Sequence, residues 1–224
     1  MPRHARGFDT EAAHAHLLKR DRRLAKWMKK IGPIEADPRW RKPFDPVDAL
    51  ARAILYQQLS GKAAATIVGR VEVAIGATRF HADTLARIDD AGLRACGVSR
   101  NKTLALRDLA AREAGGEIPD LRRMSVMDND AIVQALVPVR GIGRWTVEMM
   151  LMFRLGRPDV LPTDDLGIRK GAQRVDGLES MPTPKALAEL GERWGPYRTY
   201  ASLYLWRIAD LAVAAKEATK RSQD

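Results

Sequence analysis

The residues able to do chemistry fall in two short runs. One is Val137-Pro138-Val139-Arg140-Gly141-Ile142-Gly143-Arg144-Trp145-Thr146-Val147-Glu148, where two glycines bracket one apolar residue between stretches of helical pattern. Glycine is needed where the backbone turns with positive φ and something must come close. A helix opening there presents unpaired N–H groups and the positive end of its dipole. Such a turn can hold a phosphate through backbone donors without reading base sequence. Ile142 is expected to plug back between the two helices and fix the turn. An ordinary connection between helices also uses Gly-x-Gly; the charge of the chain and the residues that follow favour the phosphate.

The other run is Leu161-Pro162-Thr163-Asp164-Asp165-Leu166-Gly167-Ile168-Arg169, a loop that opens a helix. Aspartate is a preferred N-cap, so one of the two carboxylates is expected to cap. Side chains one residue apart on a helix point about 100° apart, so the two need not share a task. The helix N-terminus favours negative charge on either. A carboxylate beside an open hollow is what a developing glycosyl cation requires.

The whole chain sets the bounds on these readings. It has 224 residues, 46% of them hydrophobic, enough for a real core. Net charge is +10 and the pI about 10.0, a balance that favours a polyanionic partner. No apolar run is long enough to span a membrane, and the first residues lack a secretory signal. The single cysteine, Cys96, excludes an intramolecular disulfide framework and a cysteine-ligated iron–sulfur cluster. It lacks the Pro-Cys-His-type surroundings that activate a thiol, so repair by alkyl transfer to cysteine is set aside. The expected location is a reducing cytoplasm.

The elements that must position the two runs read as helices throughout. Periodicity predicts one basic helix over 9–30, with Leu17, Leu18, Leu24 and Trp27 inward and seven lysines and arginines between 19 and 30 outward. Asp45 reads as an N-cap with Pro46 at the first helical position. Further helices are expected from near Ser60, around 83–95, 100–113 and 128–136, from Gly143 to Leu155, Asp165 to Val175, Pro184 to Trp194, and Tyr197 to about Ala218. The fold expected is compact and all-α, with eight to ten helices and no repeat.

Together the two runs resemble the helix–hairpin–helix (HhH-GPD) DNA glycosylase superfamily. Gly141-Ile142-Gly143-x-x-Thr146 matches its hairpin, and Asp165 stands at the family's spacing downstream. Three segments carry a closer likeness to the AlkA-like 3-methyladenine DNA glycosylase II group: Arg52–Ser60, Gly141–Val147 and Leu161–Ile168; a fourth is Tyr197–Trp206. The likeness spans about residues 45–210. It implies two helical subdomains flanking a DNA-binding and active-site cleft, one over 46–148 ending in the hairpin and one from 1–45 plus 149–224. Carried over residue by residue, Asp165 is the catalytic aspartate and Asp164 the cap. Trp145, Trp206, Met149 and Tyr56 line a base pocket. Gln58, with Leu59, is the wedge into the DNA stack. Gly141, Ile142, Gly143, Arg144, Thr146 and Lys62 contact the DNA backbone. The carbonyls of Val137, Val139 and Ile142 match positions that can hold Na+ or K+; no other cofactor is required. Arg140 departs from the family's usual proline and Met149 from its frequent tyrosine. The stretch before residue 45 is too short for the N-terminal β domain of longer relatives.

The resemblance also implies a mechanism. Lyase members place a Schiff-base lysine in the hairpin, where this chain has Trp145, so a monofunctional enzyme with water as nucleophile is expected. A base in a duplex must be flipped out, and Gln58 could fill the gap. A purine methylated at N3 or N7 is cationic and a good leaving group; a cation–π contact with Trp145 or Trp206 would be worth about 0.5–2 kcal/mol. Trp206 reads equally as core and as pocket wall. Trp27, Trp40 and Trp194 read as core, and so, first, do Tyr56, Tyr200 and Tyr204. The partner is double-stranded DNA carrying 3-methyladenine, 7-methylguanine or similar lesions, met by a monomer. Two alternatives stay open: a non-enzymatic helix–hairpin–helix module that holds DNA for a partner, and a glycosylase for other damaged or mismatched bases.

Overall fold

The computed structural model describes residues 4–221, with side chains through residue 211. Residues 1–3 and 222–224, assigned above to the second subdomain, lie outside the described residues. Among those described the chain is all-α, without a strand. It divides into two compact units: Pro43–Val147 joined by His4, and Ala5–Lys42 with the chain from Glu148 onward.

The second unit begins with α1 (Thr10–Arg20) and α2 (Arg22–Ile31). Periodicity predicts one helix here, but the structure breaks it at Asp21. That carboxylate is 4% exposed. It accepts the N–H groups of Arg23 and Leu24 at 2.9 and 3.0 Å, takes the indole N–H of Trp194 at 2.8 Å, and lies 2.8 Å from Arg193 Nε. Capping the next helix while satisfying a buried indole outweighs continuing the first one. Leu24, Ala25 and Met28 face inward on α2, while Arg22, Arg23, Lys26, Lys29 and Lys30 are exposed. A 3₁₀ turn, Pro38–Arg41, follows.

The first unit runs from α3 (Pro46–Tyr56) to the hairpin. Asp45 caps α3 and Pro46 opens it, as its sequence predicts. Ser60 caps α4 (Gly61–Ile75). The short helices expected over 83–95 are α5 (Ala82–Leu85) and α6 (Asp90–Ala95). Then come α7 (Arg100–Ala114), α8 (Leu121–Met124), which the periodicity does not predict, and α9 (Asn129–Leu136). Leu50, Ile54, Leu55, Val71, Leu85, Leu93, Leu106, Leu109, Ile132 and Leu136 are among its fully buried side chains. α10 (Arg144–Met150) leaves the hairpin and widens into a π-type turn over Leu151–Leu155, where one regular helix is predicted.

The second unit closes with α11 (Leu166–Asp176), α12 (Pro184–Gly191) and α13 (Arg198–Arg221). Leu17, Leu24, Met28, Ile168, Ala172, Leu187, Trp194, Leu205 and Ile208 make its core with Tyr200 and Tyr204. The tyrosine hydroxyls donate to the carbonyls of Ile34 and Gly32, both at 2.9 Å, so neither is buried without a partner. Trp40 and Trp194 are buried and Trp27 is half-buried against the core, matching their expected roles. At Gly171 a Cβ would collide with the backbone of Leu205, so glycine is what lets α11 and α13 touch.

Candidate functional site

The hairpin is built as its sequence predicts. α9 ends at Leu136, the Ile142 N–H donates to the Val139 carbonyl at 3.0 Å, and Gly141 takes φ +80°. Ile142 is 3% exposed and plugs inward, while Gly141, Gly143 and Arg144 face solvent. The Gly143 carbonyl then accepts the N–H groups of Thr146 and Val147, starting α10. Trp145 is 49% exposed, far too open for core. Arg144 lies 3.9 Å from Asp130. The Arg140 departure has a local explanation: its backbone N–H donates to Asp108 Oδ2 at 2.8 Å, a bond proline could not make.

The same unit carries the turn after α3. Gln58 has φ +56°, the left-handed region, which costs a non-glycine residue about 1 kcal/mol. Gln58, Leu59 and Lys62 are exposed. Tyr56 is exposed too, at 42%, which corrects its reading as core; at the last position of α3 its ring points away from the buried face. Two residues that sequence reasoning missed hold this turn. Lys102 donates to the carbonyls of Leu55 and Gln57 at 2.7 and 2.8 Å, and burial holds its ammonium below the usual lysine range. The Gln57 amide donates to the Gly141 carbonyl at 2.7 Å. These pairings join residues 45 to 84 positions apart, and nothing in local periodicity marks them.

The carboxylate lies in the other unit. Asp165, not Asp164, is the N-cap of α11, which corrects the division of labour read from the sequence. Its φ and ψ of −69° and 121° place it just outside the first helical residue, so Oδ1 reaches the Ile168 N–H at 2.9 Å. Asp164, one residue further out, is exposed. The same Oδ1 accepts the indole N–H of Trp206 at 2.8 Å. Two donors thus orient a half-buried carboxylate at a helix N-terminus, where negative charge is favoured. Glycine at 167 permits this: a Cβ there would lie 2.7 Å from Trp206 Cδ1.

Trp206 is half-buried and packs against the core of its unit. Its ring stacks on Phe153, centroids 5.9 Å and planes 22° apart. The Arg39 guanidinium lies 4.4 Å from the Phe153 ring centroid. Sequence reasoning missed both residues. Phe153 was findable, because Trp145, Met149 and Phe153 stand four apart in sequence. Met149 is half-buried. The structure therefore gathers Asp165 and Trp206 in one unit with Met149, and the hairpin, Trp145, Tyr56, Gln58, Leu59 and Lys62 in the other. Among the described residues no cluster of His, Cys, Asp or Glu could hold a metal ion, and no helix is long and apolar enough to cross a membrane.

A family model described as the HhH-GPD superfamily base excision DNA repair protein matches residues 51–196. The DNA-3-methyladenine glycosylase 1 of Schizosaccharomyces pombe is 34% identical over 201 residues, 89% of this chain and 88% of that one. The crystal structure of the DNA-3-methyladenine glycosidase from Bacillus halodurans superposes with a TM-score of 0.80 at 34% identity, covering 90% of this chain and 91% of that one. The S. pombe 3-methyladenine DNA glycosylase Mag1 in complex with abasic DNA gives 0.74 at 34% identity, covering 88% and 95%.

Proposed function

This chain belongs to the HhH-GPD superfamily of base excision DNA repair proteins, and from that premise we propose that it hydrolyses the N-glycosidic bond of alkylated bases in DNA with Asp165 as the catalytic carboxylate. It is a DNA glycosylase of the 3-methyladenine type, acting in base excision repair. The observation that carries the residue assignment is the fixing of Asp165 by the Ile168 amide and the Trp206 indole.

A base methylated at N3 or N7 leaves readily, so little general-acid work is needed. Asp165 stabilises the oxocarbenium-like sugar and orients or deprotonates water. Trp206 and Trp145 are the aromatic faces proposed for the cationic base, each contact worth about 0.5–2 kcal/mol, and Met149 and Tyr56 are its further proposed contacts. Gln58 and Leu59 enter the stack as the base leaves it. Gly141, Ile142, Gly143, Arg144, Thr146 and Lys62 hold phosphates. The absence of a hairpin lysine supports simple hydrolysis without strand cleavage. The protein acts as a monomer, in the cytoplasm, on double-stranded DNA whose lesions include 3-methyladenine and 7-methylguanine.

The hairpin also fits a monovalent cation, Na+ or K+. The Val139 carbonyl already accepts the Ile142 N–H and keeps a second lone pair, and the end of α9 supplies the negative pole of a helix dipole. The carbonyls of Val137, Val139 and Ile142 would hold the ion, whose charge adds to the pull on a phosphate. Replacing KCl by tetramethylammonium chloride at equal ionic strength is expected to weaken DNA binding; unchanged affinity argues against the site.

The decisive variant is Asp165→Asn. Asparagine keeps the oxygen that the Ile168 and Trp206 donors use, so the fold should hold. Release of 7-methylguanine from methylated DNA is expected to fall by roughly 1,000-fold, with DNA affinity nearly unchanged. Equal loss of both would remove Asp165 from the chemistry.

A further inference from the structure

The turn that carries Gln58 and the glycine hairpin are far apart in sequence, yet one face of α7 holds both. Lys102 donates to the Leu55 and Gln57 carbonyls at 2.7 and 2.8 Å, closing the C-terminal end of α3. Three residues along, Ala105 lies beneath Gly141, where an added Cβ would come within 3.4 Å of its methyl. Three further along, Asp108 Oδ2 accepts the Arg140 N–H at 2.8 Å and is itself held by Arg112 Nε at 3.0 Å. Residues 102, 105 and 108 project from one side of a helix. The Gln57 amide closes the figure by donating to the Gly141 carbonyl at 2.7 Å.

Each contact acts on backbone rather than on an exposed side chain. The groups left facing solvent are Gln58 and Leu59 on one side and Gly141, Gly143 and Arg144 on the other. A left-handed Gln58 persists only where its surroundings over-determine it. Lys102 on the preceding carbonyl and Gln57 on the hairpin supply that constraint. The span between the two features is therefore set by a rigid helix face, not by loop conformation.

We propose that Lys102, Asp108 and Gln57 are positioning residues for base extrusion, holding the Gln58 turn at a fixed span from the hairpin, so that a duplex gripped by the hairpin meets Gln58 at one base step. This rests on the reading of Gln58 as the wedge. A flexible span would let the duplex be gripped without being opened, so the three residues should govern flipping and leave phosphate binding alone.

The test compares Gln58→Ala, Lys102→Met and their combination in the full chain, with folding checked by thermal melting. Two duplexes carry 7-methylguanine, one opposite cytosine and one opposite an abasic site, where no pairing has to be broken. On the paired duplex, single-turnover excision should fall roughly tenfold in each single variant and no further in the double. On the abasic-opposed duplex all three should work near the wild-type rate, and Lys102→Arg, which keeps its donors, should recover most of the loss. If Lys102→Met does not fold, Asp108→Ala takes its place with the same expectations. Wild-type excision of the paired duplex by the Lys102 variant, or equal loss on both duplexes, overturns the proposal. A Gln58→Ala protein active on both duplexes sinks the wedge reading itself, whatever the Lys102 variant does.

Discussion

Asp165 Oδ1 receives an amide from its own helix and an indole from α13, at 2.9 and 2.8 Å. The first bond is local and follows from aspartate's capping preference. The second joins residues 41 apart and depends on a glycine that has no chemistry of its own. Gly167→Ala should push the Trp206 ring off the carboxylate. Displacements of this size near a reacting centre cost about 100-fold, so kcat for base release should fall by that order while DNA affinity holds. Wild-type kcat in a folded Gly167→Ala protein would mean that the indole bond does not matter. The pair Asp164 and Asp165 shows the limit of reading a residue by type. Both are aspartates at a helix start, and only φ and ψ decide which one caps.

Among the elements, the join of α3, α5 and α7 is electrostatic. His81, the N-cap of α5, lies 3.0 Å from Asp45, which caps α3, and 2.6 Å from Glu113 near the end of α7. Burial alone would lower the affinity of the imidazole for its proton. The hydrogen bond to Glu113 and the charges of Asp45 and Glu113 outweigh burial, so its pKa is raised above the ordinary 6.5. A folded pKa above the unfolded one gives stabilisation that is complete below about 6.5 and is lost as pH rises through the folded value. The melting temperature of the wild type should exceed that of His81→Gln most below about pH 6.5, with the gap closing as pH rises through the raised folded value. A gap that widens with pH would show that the histidine acts as the neutral ring. Helix starts were legible here because their signals are local: Asp45 and Ser60 announce two and Pro184 a third. The break at Asp21 was not, because the Trp194 indole that rewards it comes from 173 residues away.

For the molecule as a whole, a net charge of +10 favours DNA at any sequence, and the question is which cations touch it. Lys62 and Arg144 are exposed beside the Gln58 turn and the hairpin glycines. Each true phosphate contact contributes a slope of about 0.9 to the salt dependence of binding. Lys62→Gln and Arg144→Gln should each reduce the slope of log affinity against log salt by about that amount, for damaged and undamaged duplexes alike. An unchanged slope would return both to the solvated surface. The sequence by itself determined the all-α class, most helix starts, the hairpin with Ile142 inside it, and the aspartate to test, because caps, turns and periodicity are written in neighbouring residues. The tertiary structure decided that Asp165 caps and meets Trp206, that Phe153 stacks beneath that ring, and that Lys102 and Gln57 hold the Gln58 turn. Apart from the cap, which local φ and ψ decide, those contacts join groups dozens of residues apart, and only packing tells which distant partner arrives.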